Sequence, residues 1–230
     1  MSMQAPPRDV TLRRAPGRIV WTAMFVLIGI VVVFAGIRVT VDGPAIIAGT
    51  MPPEDSFEYR YVAHPWLAYA HILPGIVYLL GAPLQLFRRF RERHFGVHRR
   101  LGRILLPLGV TAGVLGVVFG IRFSIGGLLE ASAAVVFGSY FVAALVTAFV
   151  AIRRGDVDRH RRWMIRAFAV AVAVGTIRIW IGLLQVLGLS FELSFGVAFW
   201  ISFPLHVLAA ETYLHIHPNA TRKVRPHALQ

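Results

Sequence analysis

Six long apolar runs constrain this chain more than any other feature. They fall at about 19–39, 65–87, 101–121, 132–152, 163–188 and 196–216. A bilayer core is ~30 Å thick and takes about 20 mostly apolar residues to cross as a helix. Each run is long enough, and together they use most of the 230 residues. The expected fold is all-α: a polytopic membrane protein of six transmembrane helices in one membrane domain, 19–216. Basic tails at 1–18 and 217–230 flank it, and no separate soluble domain is left over. A mean hydropathy of +0.65 agrees, because soluble domains of this size are less apolar.

Charge placement orients the bundle. Twenty of the 24 Lys and Arg lie before the first run, between the second and third, between the fourth and fifth, or after the sixth. The remaining connections hold few cations and most of the acids, among them Asp42, Glu54, Glu58, Glu130 and Glu192. The positive-inside rule then places both termini in the cytoplasm, in a bacterial inner (plasma) membrane. This pattern assigns the net charge of +13 to anionic lipid head groups rather than to nucleic acid. The first run is longer than the apolar part of a secretory signal and lacks a small-residue cleavage site, so it reads as a retained span. Tight connections make neighbouring helices antiparallel. The longest, about 40–64, is Pro-rich and acidic enough to cap the outer face.

The second run carries His64, His71, Tyr78 and Gln85 at intervals of seven. Seven residues are nearly two helical turns, so these four form one polar stripe on an otherwise apolar helix. Polar groups in a bilayer are costly and turn toward the bundle or a cavity. For Tyr78 and Gln85, hydrogen bonding between helices is the plainer reading. For His71 that reading and a functional one stand level. Pro74 and Pro83 are expected to kink the helix and free carbonyls near His71.

Arg178 sits in the fifth run, ~22 Å from its inner end, with Gln185 seven residues on. It either snorkels outward past Trp180 or meets a buried anion such as a substrate carboxylate or a haem propionate. His206 lies near the middle of the sixth run, with Ser202 one turn away. His215 follows Glu211 by four residues, on the same helix face.

His98 in "VHRRLGR" and His160 in "RHRRWMIR" occupy matched places at the cytoplasmic ends of the third and fifth runs. Three roles are open to them. They can anchor at the interface beside the arginines. They can ligate one haem iron together, with Arg99 or Arg161 at the propionates and Asp156 or Asp158 fixing a tautomer. Or they can relay protons. His71 and His206 lie within about a turn of the same depth, so four histidines make an outer and an inner pair, the plan of a two-haem cytochrome. Cysteine is absent, so thiolate sites and covalent haem attachment are excluded and only haem b fits.

The stretches "HILPGIVYLLGAPLQLF", "VHRRLGR" and "RHRRWMIRAFAV", with "IRIW" further on, resemble a family of bacterial membrane proteins catalogued as domain of unknown function 2306. The matching positions are His71, Gly75, Gly81, Gln85, His98, Arg99, Gly102, Arg103, His160, Arg161, Trp163, Met164, Arg166 and Arg178. Glu211 resembles an acid on that family's last helix. The resemblance spans roughly 60–215. It implies a membrane-bundle fold and brings no established activity.

Three function classes follow. The first is a redox protein holding haem b or serving a quinone or other redox partner, with His71, His98, His160 and His206 as iron ligands and Arg99, Arg161 and Arg178 as anion contacts. The second is a proton-coupled carrier of a small molecule built on His71, Arg178 and His206. The third is a structural or regulatory membrane subunit. No nucleophile–base pair, carboxylate pair or phosphate loop points to a hydrolase or nucleotide enzyme.

Overall fold

The computed structural model describes residues 17–217. The two basic tails expected at the chain ends lie almost wholly outside the described residues. All regular structure among the described residues is helical: α1 (Arg18–Ala48), α2 (Tyr59–Ala63), α3 (Pro65–Leu86), α4 (Arg88–Arg93), α5 (Phe95–Arg122), α6 (Gly127–Arg153), α7 (Val157–Val186) and α8 (Phe191–Ile216). Six of these, α1, α3, α5, α6, α7 and α8, are long and apolar enough to cross a membrane.

The helices run past several of the expected boundaries, and charged side chains explain why. The first span was expected to stop near Arg38, yet α1 continues to Ala48. Arg38 and Asp42 are buried as a pair at 3.4 Å, so their charge does not end the helix. The connection expected at about 40–64 is correspondingly shorter and contains α2. α5 starts at Phe95 rather than near 101, and α7 at Val157 rather than near 163. Asp156 caps α7 by accepting the Arg159 N–H at 2.9 Å, a contact that satisfies one of the free amides of a first turn.

α3, α5, α6 and α7 form a ring in which each neighbouring pair packs, α3 against α7 least closely. α5 and α7 face one another across the interior without packing. α8 covers α6 and α7, and α1 lies outside against α7 and α3. Gly175 of α7 faces the Leu27 backbone of α1, and Trp21 stacks on Phe87 at 4.1 Å between ring centres.

Most of the polar stripe on α3 meets a second stripe that the sequence reading did not use. His71, Tyr78 and Gln85 lie over Gly116, Gly109 and Gly102 of α5. These glycines are also seven residues apart, running the other way. In lipid, apolar surface gains little by moving from tails to protein, so close backbone approach and polar contacts drive helix association. A Cβ at Gly109 would stand 2.8 Å from Tyr78, and one at Gly116 would stand 2.7 Å from the His71 ring. The glycines are therefore what lets a ring lie flat on α5. Both prolines of α3 are accommodated inside one continuous helix. His64 departs from the stripe: it precedes the helix, exposed, with its ring 4.9 Å from Phe123.

Candidate functional site

A cavity of about 260 Å³ occupies the half of the ring away from the arginine-rich end. The N-terminal halves of α3, α6 and α8 and the C-terminal halves of α5 and α7 enclose it, and α1 and α2 close one side. The walls are largely aromatic and small: Phe34, Phe119, Phe141, Phe195, Phe199 and Phe203 stand among glycines and alanines. Six polar side chains reach it: Arg60, Tyr61, His71, Tyr78, Glu130 and Arg178.

Arg178 is the feature that packing does not account for. Its guanidinium lies 4.0 Å from the Phe34 ring centre and forms no hydrogen bond or ion pair among the described residues. Stacking on an aromatic face is worth about 0.5–2 kcal/mol and leaves the N–H donors of the guanidinium without a partner among the described residues. Arg178 is half-buried and lines the cavity. Gln185, expected to continue its face, is exposed near the end of α7.

The neighbouring charges are already engaged. Arg60 donates to the Phe123 carbonyl at 2.9 Å and stacks 4.2 Å from Phe57. Glu130 accepts the Ile125 and Gly126 amides at 2.7 and 2.8 Å, so its carboxylate fastens the turn before α6. Arg38 donates to Asp42 and Glu58, at 3.4 and 3.5 Å, and Tyr69 donates to the Arg38 carbonyl at 3.1 Å. Three arginines thus converge beside aromatic rings, and Arg178 alone of them has neither a carboxylate nor a carbonyl. Nothing local in the sequence marks Arg38, Arg60 or Glu130 as buried: each lies at or near a connection, where a charge is ordinary.

The four histidines have different surroundings. His71 lines the cavity and donates through Nδ1 to the Ala112 carbonyl at 2.8 Å, which leaves Nε2 as an acceptor. No freed carbonyl of α3 is involved. His206 is bonded to the Thr176 hydroxyl at 2.7 Å and is not among the cavity-lining residues. His98 and His160 are each the fourth residue of their helix, α5 and α7, and lie close enough for their charges to interact. His160 donates through Nδ1 to the Ala148 carbonyl at 2.9 Å, so the expected tautomer-fixing role of Asp156 or Asp158 falls to a backbone oxygen of α6. Asp156 is occupied as the α7 cap. Arg91 of α4 stands near both rings and near Arg161. Burial, and then the Arg161 charge, lower the affinity of Arg91 for its proton. Arg99 is exposed.

Arg166 and Glu211 form a two-pronged pair between α7 and α8, at 2.5 and 2.8 Å. Such fork-to-fork geometry is the strong form of a charged hydrogen bond. His215, one turn beyond Glu211, is exposed, and no group of three or more metal-binding side chains occurs among the described residues.

A family model described as "Predicted membrane protein (DUF2306)" matches residues 68–214. The chain belongs to this family. Comparison with curated proteins and with solved structures gives no match. The family match contains Arg178, His71, Glu130 and the α3–α5 ladder, and it leaves out α1 and α2.

Proposed function

We propose that this multi-pass membrane protein binds a small amphipathic anion in the cavity, as a carrier or receptor for it. The single observation behind this reading is Arg178, an unpaired guanidinium in an aromatic chamber. An intramembrane cation that has no protein partner and lines a cavity marks a ligand or ion pathway. A carboxylate or sulfonate would complete Arg178, and an aromatic or short aliphatic body would fill the phenylalanine walls. Ligand sites commonly enclose roughly 300–1,000 Å³, so a cavity of about 260 Å³ suits a small molecule. With the topology expected from the arginines, the cavity belongs to the outer half of a bacterial inner membrane.

The test is thermal unfolding of the detergent-purified protein against cinnamate, octanoate and benzenesulfonate. An anion at about 100 times its Kd adds roughly 2.7 kcal/mol to stability, and Arg178→Met should cut that gain to about 0.9 kcal/mol or less. Wild-type protein that no member of the panel stabilises would sink the reading.

A second reading keeps the redox class. A b-type haem between α5 and α7 would use His98 and His160 as ligands. Its support is the nearness of the two rings and the His160 Nδ1–H···O=C contact, which leaves Nε2 for iron. Arg161, beside Arg91, is the better placed of the expected propionate partners, since Arg99 is exposed. Haem supplies one-electron chemistry when bound; the chain would supply ligation and charge balance. Reduced and oxidised absorption spectra after haem-replete expression decide it: no Soret band, no haem.

A further inference from the structure

The second feature that packing leaves unexplained is a line of buried polar atoms between the cavity floor and the arginine-rich end. Tyr78 Oη, Gln85 Nε2 and His98 Nδ1 are enclosed and have no hydrogen-bond partner among the described residues. Only six buried side-chain atoms there share that condition, so half of them lie on one line. Tyr78 is 2% exposed and Gln85 9%. The α3–α5 ladder sets their order. His71 lines the cavity, Tyr78 forms part of its floor, and Gln85 lies against Gly102. His98 is one turn before Gly102 on the same face of α5.

Buried polar groups are almost always bonded to protein or to ordered water, and leaving one unmet costs about 1–3 kcal/mol. Successive members of the α3 stripe are seven residues apart, ~10 Å along a helix. That is several times a hydrogen-bond length, so direct contact along the stripe is ruled out and only intervening water could join its members. The line also ends at chemistry suited to protons, with two imidazoles at the arginine-rich end and one at the cavity.

We infer that the α3 stripe is a proton path: internal water joins His71, Tyr78, Gln85 and His98 and links the cavity to the arginine-rich end. The step balances without any co-reactant. The Tyr78 hydroxyl gives its proton to the water on one side and takes another from the water on the other. His98 accepts a proton at one ring nitrogen and releases one from the other. The Gln85 amide orients water and does not titrate. One proton leaves one end for each that enters at the other. The charged and titratable groups around the line are Arg60 of α2, Arg91 of α4, Glu130 of α6, and His160, Arg161 and Arg178 of α7. The path would couple to the anion through His71, which shares the cavity with Arg178. That coupling rests on the anion reading, whereas the path itself does not.

The experiment uses the full chain in liposomes containing a pH-sensitive dye, with valinomycin and a potassium gradient as the driving force. Benzenesulfonate is present or absent; it stays ionised and ferries no protons itself. The expected result is dye acidification beyond that of protein-free vesicles. Tyr78→Phe, which keeps the ring on Gly109, and Gln85→Leu should each return the rate to that of protein-free vesicles. Ser202→Ala should keep the wild-type rate. Ser202 is a control because its hydroxyl is equally buried and unpartnered, at 0% exposure, but on α8. Monodisperse elution of each variant separates loss of the path from loss of the fold. Wild-type flux no greater than that of empty vesicles under either condition, or full flux in both α3 variants, overturns the path. Binding of benzenesulfonate in the unfolding assay with no flux leaves the anion site standing alone. Flux that ignores benzenesulfonate, with no binding, leaves the path without the anion site.

Discussion

The two ends of the bundle use arginine for opposite reasons. At the arginine-rich end most guanidiniums are exposed and face no carboxylate, as Arg89, Arg93, Arg99 and Arg100 do. Exposed groups of this kind can be met by lipid phosphate or water. At the other end there are few, and Arg38 and Arg60 are buried with rings stacked against them. Abundance therefore marks where a positive charge is cheap, and scarcity with burial marks where it is retained for a purpose.

The contrast is open to direct attack. Asp42 is fully buried beside Arg38 and Tyr69, and removing one member of a buried pair typically costs about 3–5 kcal/mol. Asp42→Ala should unfold at markedly lower denaturant or temperature than wild type; an unchanged midpoint would dissolve the distinction between the two ends. Arg178→Met separates stability from binding. It should weaken anion binding by roughly 30-fold or more, about 2 kcal/mol, while the ligand-free protein melts no lower than wild type. A melting temperature that falls in the absence of ligand would make Arg178 structural.

Glycines along α5 sharpen the comparison at intermediate depth. In Gly109→Ala the new methyl would meet both Tyr78 and Leu145, at 2.8 and 2.9 Å. Overpacking of that kind costs about 1–3 kcal/mol. Gly102→Ala, nearer the arginine-rich end, would place its methyl 3.6 Å from Gln85 Oε1, an ordinary contact, and should melt at or above wild type. The smallest effect is expected of Arg88→Ala. It breaks an exposed pair with Glu92 at 2.6 Å, where solvent screening leaves little to lose, and its unfolding curve should overlay that of wild type.

Sequence made the spans legible because apolar runs of this length have one cheap solution in a bilayer. It made His71, Tyr78 and Gln85 legible as one face because a spacing of seven is a property of the helix itself. The same spacing in Gly102, Gly109 and Gly116 was equally available, but glycine carries no chemistry and draws attention only once a partner is seen to press against it. Arg178 stood out as a cation deep in an apolar run. Arg38 and Arg60 did not, since rings distant in the sequence lie over them, Phe57 and Tyr61 on Arg38 and Phe119 and Phe195 on Arg60, and Glu130 did not, since the amides it bonds mark only a turn. His206 looked like a match for His71 by depth alone, and the rotation of α8 set it beside Thr176 instead.

The shared family region begins at residue 68, so Arg178 lies inside it, while Phe34, Arg60 and Tyr61, which close the chamber on one side, lie before it. Part of the chamber wall thus comes from outside the stretch that carries Arg178. A relative that keeps the core but carries another leading segment would retain its grip on negative charge and change the shape it admits. On the proposed reading most of the chamber, with Phe119, Phe141, Phe195, Phe199 and Phe203, would stay as it is, and the difference would fall on the side that α1 and α2 close.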